Sequence, residues 1–351
     1  MLKDSRAVAR WREVKVLVID EVSMLSAELF DALDAIAKTL RTCDEPFGGI
    51  KLVLVGDFLQ LPPVQNLSAP AVLFVFQSAA WTSCAPRSVL LEVVVRQEEA
   101  SFVRLLEEVR RGEVTKKTLE VLDYRRAALA AASEGLDMHT HLFCHRREVS
   151  EHNASKLEKL QGNPHTFTAK DIYVCEDEHK PRLLAAMGNT VEPTLILKVG
   201  ARVMLGVSLH AHALANGSMG YVQRVHAELV EVRFDNGATV MLEPHAFEVG
   251  ETGCMLTRTA MPLTLAWAIT VHKSQSLTLA RACIRVDDAW AAGQVYVAIS
   301  RVSSLQGLWL LGDIAKLAPP PKNSARYRGA VVAHTDAIKF YLTNGLLRAL
   351  I

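Results

Sequence analysis

An apolar run that ends in two acidic residues constrains the fold of this chain more than any other feature. Val16–Ile19 is an unbroken aliphatic segment, and Asp20 and Glu21 follow it directly. A short β-branched run of this kind predicts a strand buried in a parallel sheet. Ligands of open α/β sheets bind at the carboxyl ends of the strands, where both acids would stand. One carboxylate can hold Mg²⁺ through its waters while the other orients or deprotonates an attacking water. The pattern is therefore typical either of a nucleotide-hydrolysing site or of a strand with ordinary solvated acids.

A second strand delivers polar groups to the same edge of the predicted sheet. The run Lys51–Gly56 is apolar at its centre, and Asp57 and Gln60 follow it. Between the two strands, Ser26 is a suitable N-cap for a helix with one apolar stripe. The resulting β-α-β unit places both strand ends side by side. An amide such as Gln60 can hydrogen-bond a phosphate oxygen or a water, although it can equally be an ordinary loop residue.

The middle of the chain changes to a β pattern. Tyr221–Val225, Leu229–Phe234 and Ala238–Leu242 alternate apolar and polar residues. Asp235-Asn236-Gly237 stands between the last two segments and predicts a hairpin turn. Short strands at such close spacing indicate a small β-barrel and not a continuation of an α/β layer.

Composition excludes several classes of protein. The formal net charge is +1, so contacts with DNA must come from local groups and not from a global basic field. None of the six cysteines stands in a C-x-x-C motif, which argues against a zinc site or a disulfide framework and for a reducing compartment. No apolar stretch of about 18 residues predicts a membrane span.

The segments DEVSM and PFGGIKLVLVGDFLQLPPV, on either side of the predicted helix, resemble the PIF1 (petite integration frequency) DNA helicases of superfamily 1. The resemblance implies an α/β fold with two RecA-like P-loop NTPase lobes, the first incomplete, and a small β-barrel inserted in the second. The implied ranges are 1–97 for the partial first lobe, 98–138 for a helical bridge, 139–198 and 261–318 for the second lobe, 199–260 for the barrel, and 319–351 for a tail with a helix.

Three further segments, LLEVVVRQ, MPLTLAWAITVHKSQ and GQVYVAISR, extend the resemblance. Leu90–Gln97 is predicted to be a strand that ends near Arg96, and an arginine fork suits phosphate oxygens. The alternative interpretation of Arg96 is a surface arginine in a salt bridge. The alternative interpretation of HKSQ is a solvated loop. The family implies Glu21, Gln60, Arg96 and Arg301 as catalytic residues; Asp20, Asp57, Gln60, Arg96 and Arg301 as nucleotide contacts; Asp20 as the Mg²⁺ ligand; and His272, Lys273, Ser274 and Gln275 as contacts to nucleic acid.

The chain departs from the family pattern at the residue that follows the HKSQ motif. The family has glycine after HKSQ, whereas this chain has Ser276. If the backbone there needs a positive φ or a close approach to DNA, a serine is strained. Coupling between DNA and nucleotide is therefore in question.

A second departure concerns the phosphate cradle. The motif G-x-x-x-x-G-K-[ST], whose backbone N–H groups and lysine hold phosphates, does not occur in the sequence. In the family it precedes the strand at Val16, so the resemblance implies a chain that is truncated at its N-terminus relative to the family. Without the P-loop strand an apolar edge or face of the sheet is expected to lie open, and ATP turnover by the chain alone is expected to fall below a helicase rate.

Family analogy implies ATP and Mg²⁺ as cofactors, single-stranded and forked duplex DNA as partners, and movement 5′ to 3′. It also implies roles in genome maintenance, DNA repair, recombination or telomere maintenance, in the nucleus or the mitochondrion and without a membrane. The alternative is a degenerate paralogue that binds single-stranded DNA or a protein partner without hydrolysis. A third reading is a RecD-like or transposon-encoded relative, and the PFGG and GDFLQLPPV stretches argue against the RecD side.

Overall fold

The computed structural model describes residues 5–64, 72–131, 140–188, 190–251, 253–318 and 333–346. The chain folds into two compact units, which are named by their place along the sequence alone: the inner unit (residues 145–269) and the outer unit (residues 5–144 with 270–351). The α-helices of the described residues are α1 Ser5–Glu13, α2 Ala27–Arg41, α3 Ala79–Cys84, α4 Ala100–Arg111, α5 Lys116–Ala131, α6 Arg146–Lys159, α7 Lys180–Gly188, α8 Val271–Ser274, α9 Gln294–Ser300 and α10 Thr335–Thr343.

The strands of the same residues are β1 Val16–Ile19, β2 Lys51–Leu54, β3 Thr140–Phe143, β4 His165–Thr168, β5 Lys170–Val174, β6 Thr194–Leu197, β7 Arg202–Leu205, β8 Met219–Val225, β9 Val230–Phe234, β10 Thr239–Leu242, β11 His245–Glu251, β12 Cys254–Ala260, β13 Leu263–Leu265, β14 Ala268–Thr270, β15 Ala282–Arg285 and β16 Leu308–Leu311. None of the helices in the described part combines the length and hydrophobicity that a membrane span requires.

The predicted β-α-β unit is present in the outer unit, but its sheet is covered on one face only. Strands β1 and β2 pair in parallel, with Leu17 opposite Leu52. These leucines face the core, whereas Val18 and Val53 on the other face are 60% and 45% exposed. The prediction of a fully buried strand is therefore wrong, since an unbroken apolar run does not show which face is covered. The prediction that an apolar face of this sheet lies open is confirmed.

Helix α2 begins and packs as its sequence predicts. The Ser26 hydroxyl caps the helix by accepting from the Leu29 N–H at 3.2 Å. Phe30 is fully buried against Phe47, with ring centroids 4.9 Å apart. Gly48 has φ +59°, and a Cβ there would come within 2.8 Å of the Ala37 carbonyl oxygen. The PFGG stretch is thus a turn that needs glycine because it lies directly on α2.

Three parallel strands of a second, four-stranded sheet lie in the outer unit. Strand β15 lies between β3 and β16 and pairs in parallel with both. Cys283 and Ile284 of β15 are buried, as are Leu142 and Leu310 on its neighbours. Parallel strands buried on both faces are typical of α/β proteins.

The inner unit contains the predicted antiparallel strands. Strands β10, β9, β8, β7 and β13 form one sheet in that order. The hairpin prediction is confirmed, because β9 and β10 pair antiparallel and Gly237 between them has φ +89°. The closure of this sheet into a barrel, and the domain ranges predicted from the sequence, stay predictions.

Three sequence predictions need correction. Leu90–Gln97 forms no strand, and Leu91, Val93 and Val95 are each more than 80% exposed. A run of β-formers becomes a strand only beside a ladder partner. The alternating valines of GQVYVAISR lie on α9, a helix so thoroughly buried that apolar residues occupy several faces. The segment before HKSQ forms two short strands, β13 and β14, and not one.

The C-terminal predictions are tested in part. The predicted terminal helix is confirmed as α10. Residues 319–332 and 347–351 of the predicted tail, and residues 132–138 of the predicted helical bridge, lie outside the described residues.

Candidate functional site

The two acids at the end of β1 stand in a sharp turn. Glu21 has φ 52° and ψ 43°, and its N–H donates to Asp20 Oδ1 at 2.8 Å. A non-glycine residue with this left-handed backbone is uncommon and strained, and such residues cluster at functional sites. The turn leaves the Asp20 side chain exposed and the Glu21 side chain half-buried.

The Glu21 carboxylate contacts the HKSQ motif directly. Gln275 Nε2 donates to Glu21 Oε2 at 2.7 Å, and Ser276 Oγ donates to Glu21 Oε1 at 2.8 Å. Each carboxylate oxygen therefore accepts one hydrogen bond from this motif. The structure thus joins the predicted hydrolytic acid to the predicted nucleic-acid motif.

Ser276 adopts a backbone conformation that favours glycine. Its φ is +65°, so the first of the two conditions raised by the sequence, a positive φ, is met. The strain that a side chain adds there is offset by the hydroxyl contact with Glu21. A glycine has no hydroxyl to make this contact.

The remaining residues of the HKSQ motif lie on the short helix α8. The Thr270 hydroxyl caps it by accepting from the Lys273 N–H at 3.2 Å. Lys273 is exposed, and His272 stacks on Trp290 with ring centroids 5.8 Å apart. Ser274 is fully buried, and its hydroxyl donates to the Val271 carbonyl at 2.7 Å. The motif therefore presents Lys273 outward and holds Ser274 inside.

Arg301 is a buried cation beside a second arginine. It is 3% exposed, and its guanidinium donates to the Val297 carbonyl and to Ser300 Oγ, both at 2.8 Å. Among the described residues no carboxylate lies within ion-pair distance of it. Burial, together with the charge of Arg96, lowers the pKa of Arg301 to about 10, although Tyr296 and Glu21 oppose the shift. Such a pair of cations suits a bound anion.

Arg96 is held in place through the residue that follows it. Its Nε donates to Thr278 Oγ1 at 3.1 Å. The neighbouring Gln97 is buried and donates to the carbonyls of Ser300 and Val302, both at 2.9 Å. The exposed segment before Arg96, which forms no strand, is therefore fixed at its end by the hydrogen bonds of Gln97 to the backbone next to Arg301.

Asp57 is engaged inside the protein. Both of its carboxylate oxygens accept from Arg110 at 2.8 Å, and Tyr341 Oη donates to Oδ1 at 2.9 Å. Burial alone would raise the pKa of Asp57, but the charge and hydrogen bonds of Arg110 bring it below its ordinary value overall. Arg110 and Tyr341 already occupy this carboxylate. The predicted contact of Asp57 with nucleotide stays a prediction.

Gln60 meets the start of α9 through its backbone. A Cβ on Gly293 would lie 2.3 Å from the Gln60 carbonyl oxygen, and Gly293 has φ +77°. Only glycine allows this approach. The Gln60 loop is therefore brought to the helix that carries Arg301, while its side chain is half-buried.

Asp20 is suited to hold a cation as one ligand among several. It is exposed at a strand end, and its Oδ1 accepts the Glu21 N–H. In the described part of the chain, three candidate ligands converge only at exposed Glu176, Glu178 and His179 of the inner unit. Magnesium binds through one or two carboxylates with water and substrate phosphates, so a single Asp20 carboxylate fits this ion.

Known proteins match this chain over most of its length. A family model described as PIF1-like helicase matches residues 1–120. The human ATP-dependent DNA helicase PIF1 is 40% identical over 310 residues, which cover 86% of this chain and 46% of that protein. Pif1 of Bdellovibrio bacteriovorus is 31% identical, covering 88% of this chain and 69% of that protein. The chain belongs to the PIF1-like helicase family.

Solved structures of the family have the same fold. The crystal structure of Pif1 helicase from Candida albicans matches with a TM-score of 0.81 at 30% identity, covering 96% of this chain and 78% of that one. The Bacteroides Pif1 helicase in complex with ADP-AlF3 and single-stranded DNA matches with a TM-score of 0.70 at 27% identity, covering 98% and 79%. The PIF1-like chain therefore has a RecA-like α/β helicase fold. It spans about half the length of the vertebrate relatives that it matches, such as the human protein at 46%.

Sequence reasoning missed four residues that shape this PIF1-like site. Arg110 and Tyr341 hold Asp57, Gln97 anchors Arg96, and Gly293 admits Gln60. No motif in the sequence marks Arg110 or Tyr341 as a partner of Asp57. Gly293 alone carried a usable signal, because a glycine at the start of a buried apolar segment indicates a close backbone approach.

Proposed function

We propose that this chain forms part of the motor of an ATP-dependent DNA helicase. The observation that carries the proposal is the pair of hydrogen bonds from Gln275 and Ser276 to Glu21. They link the carboxylate best placed to act on water with the motif best placed to contact a DNA strand. A helicase needs such a link, because hydrolysis must respond to the strand.

The roles within the site follow from charge and exposure. Glu21 orients or deprotonates the attacking water. Arg96 and Arg301 neutralise charge on the phosphates, and the burial of Arg301 without a carboxylate partner supports this assignment. Gln60 positions the γ-phosphate or the water. When bound at Asp20, Mg²⁺ supplies charge neutralisation for the phosphates.

The nucleic-acid side of the site consists of one exposed cation and a stacked pair. Lys273 is exposed and donates to a backbone phosphate. His272 and the half-exposed Trp290 offer ring faces beside it. Lys273 supplies the electrostatic part of the affinity, and Gln275 carries the signal to Glu21.

A second candidate is a chain that binds single strands without hydrolysis. One observation favours it: the Ser276 hydroxyl donates to an oxygen of Glu21 that a water would use. We infer that these 351 residues alone do not hydrolyse ATP at a helicase-like rate. The two candidates agree on DNA binding and differ in turnover.

One pair of assays on the purified chain separates them. Binding to a fluorescent oligothymidylate is measured by anisotropy, and phosphate release from Mg-ATP is measured with and without that strand. DNA binding with little stimulated release supports the inference, and strong stimulation overturns it. A chain that binds no single strand overturns the DNA role itself. Glu21→Gln is the control for turnover, because it replaces the carboxylate base with an amide of nearly the same size and shape.

We extend the family analogy in four further respects. The chain acts on forked duplex DNA, its movement is 5′ to 3′, and its setting is genome maintenance in the nucleus or the mitochondrion, including repair, recombination or telomere maintenance. The sheet of β7–β10 with β13 is the inserted small barrel. A strand-displacement assay with forks of both polarities, on a protein that hydrolyses ATP, tests the direction.

A further inference from the structure

Two cysteines that are far apart in the sequence face each other across two strands of the inner unit. Strands β5 and β12 pair antiparallel, with Val174 opposite Met255. Continuing this register by one residue sets Cys175 opposite Cys254. Directly opposed residues of an antiparallel pair have Cα atoms about 4.5–5.5 Å apart, and disulfides span about 4.4–6.8 Å. The backbone therefore already satisfies the distance that a disulfide needs.

The side chains agree with this placement. The two thiols are close enough for Cys254 to act on the titration of Cys175, and neither cysteine is in a disulfide. Both are half-buried and pack against the cluster around Leu183 and Leu256. Burial raises the pKa of the Cys175 thiol, the Cys254 thiol raises it further, and the charge of Lys180 acts in the opposite direction. The pair is partly exposed, so a small oxidant can reach it.

The other end of the same strand pair is already held by a polar contact. Arg258 stands opposite Asp171, and its guanidinium donates to both carboxylate oxygens at 2.7 and 2.6 Å. Strand β5 is an edge strand, paired only with β12 in its sheet. A link at the cysteine end would fix the second end of this edge strand.

The remaining cysteines of the chain do not share this arrangement. Cys144 and Cys283 are buried, and Cys43 and Cys84 are half-buried in the outer unit. Burial raises the pKa of the Cys283 thiol to about 12, which makes it a poor nucleophile at neutral pH. No other pair of cysteines stands at opposed positions of neighbouring strands in the described part of the chain.

We propose that Cys175 and Cys254 form a reversible redox pair that closes to a disulfide when the protein meets hydrogen peroxide. One thiolate attacks peroxide, a sulfenic acid forms and the second oxygen leaves as water. The other thiol then displaces a second water, and an S–S bond forms. Two thiols and one peroxide thus give one disulfide and two waters. The crosslink ties edge strand β5 to β12, and a dithiol reductant reverses it.

Peptide mapping of the full chain tests the pair. The reduced protein is treated with hydrogen peroxide, quenched with iodoacetamide under denaturing conditions and digested without reductant. We expect a peptide crosslinked through Cys175 and Cys254, and an intact mass lower by two hydrogen atoms. Dithiothreitol should restore both thiols. The melting temperature of the unit that holds both strands should rise by about 5 °C on oxidation, because the link closes a long loop.

Serine variants provide matched controls. Cys175→Ser or Cys254→Ser should abolish the crosslink and leave a sulfenic acid that dimedone traps on the remaining partner. Cys43→Ser and Cys84→Ser should leave the crosslink unchanged. Oxidation of Cys175 or Cys254 to sulfinic acid without a crosslink overturns the proposal, as does a crosslink that joins other cysteines or two chains. The map of the unaltered chain decides the matter even if a variant fails to fold.

Discussion

Ser276 donates its hydroxyl to Glu21 at 2.8 Å, although both residues have a left-handed backbone. Residues in this conformation each cost on the order of 1 kcal/mol or more and persist where surrounding contacts hold them. The two strained residues hold each other, and Gln275 completes the contact from the same loop. Hydrogen bonds therefore connect the turn at Asp20 and Glu21 directly to the end of the HKSQ motif.

Substitution of Ser276 separates strain from hydrogen bonding. Ser276→Ala loses the bond to Glu21 and keeps the positive φ, whereas Ser276→Gly loses the bond and relieves the strain. We expect the alanine variant to be less stable than the glycine variant by about 1 kcal/mol. Urea unfolding of the two proteins measures the difference. An alanine variant as stable as the glycine variant would show that φ at this position is relaxed.

The Asp57 ion pair gives the chain a component of acid sensitivity. The pKa of Asp57 is lowered in the folded protein, so its stabilisation is fully present above the unfolded value of about 4 and declines as pH falls through the lower folded pKa. Asp57→Asn should cost about 2 kcal/mol at neutral pH, because Arg110 loses the carboxylate that accepts two of its hydrogen bonds and keeps only Glu107 as a charge partner. The loss should shrink at acid pH.

Urea unfolding of both proteins across the pH range from neutral to about 3 measures this effect. Tyr341→Phe is the matched control, since it removes one hydrogen bond to Asp57 and should cost only about 1 kcal/mol. A difference between Asp57→Asn and the original chain that does not change with pH would contradict the assignment.

Gly293 should tolerate no side chain. Gly293→Ala would place a Cβ 2.3 Å from the Gln60 carbonyl oxygen at a positive φ. We expect a loss of more than about 3 kcal/mol and a displaced Gln60 loop. Gly345→Ala is the control in the same unit, with φ +65° and no atom within 4 Å of its Cβ. It should cost only about 1 kcal/mol. Equal losses in thermal or urea unfolding would show that the close approach is not what requires glycine.

Arg301 is expected to lower the stability of the folded chain and to bind an anion. Arg301→Met removes a buried cation that has no carboxylate partner, so the variant should be more stable than the original by about 1 kcal/mol. Inorganic pyrophosphate should raise the melting temperature of the original chain and not that of the variant. The result that contradicts this role is a variant that is destabilised yet retains the full pyrophosphate effect.

The sequence predicts local turns and caps better than the contacts that complete the site. Ser26 as an N-cap and the Asp235-Asn236-Gly237 turn of the inner unit each rest on local chemistry, and the structure confirms them. The strand expected at Leu90–Gln97 fails because strand formation depends on a distant partner.

The contacts of the site were harder to predict for a related reason. Tyr341 lies far along the chain from Asp57, and no motif marks either it or Arg110 as a partner of that carboxylate. Nothing in the sequence pairs Cys175 with Cys254, because spacing along the chain does not reveal register across strands.

The dependence of single-strand binding on salt tests the central claim most directly. If Lys273 contacts a backbone phosphate, Lys273→Ala should weaken binding to oligothymidylate and lower the slope of log K against log salt by about 0.7. Lys117→Ala, an exposed lysine on α5, should change neither quantity. A Lys273→Ala protein with the affinity and slope of the original chain would contradict the account, as would an original chain that binds no single-stranded DNA.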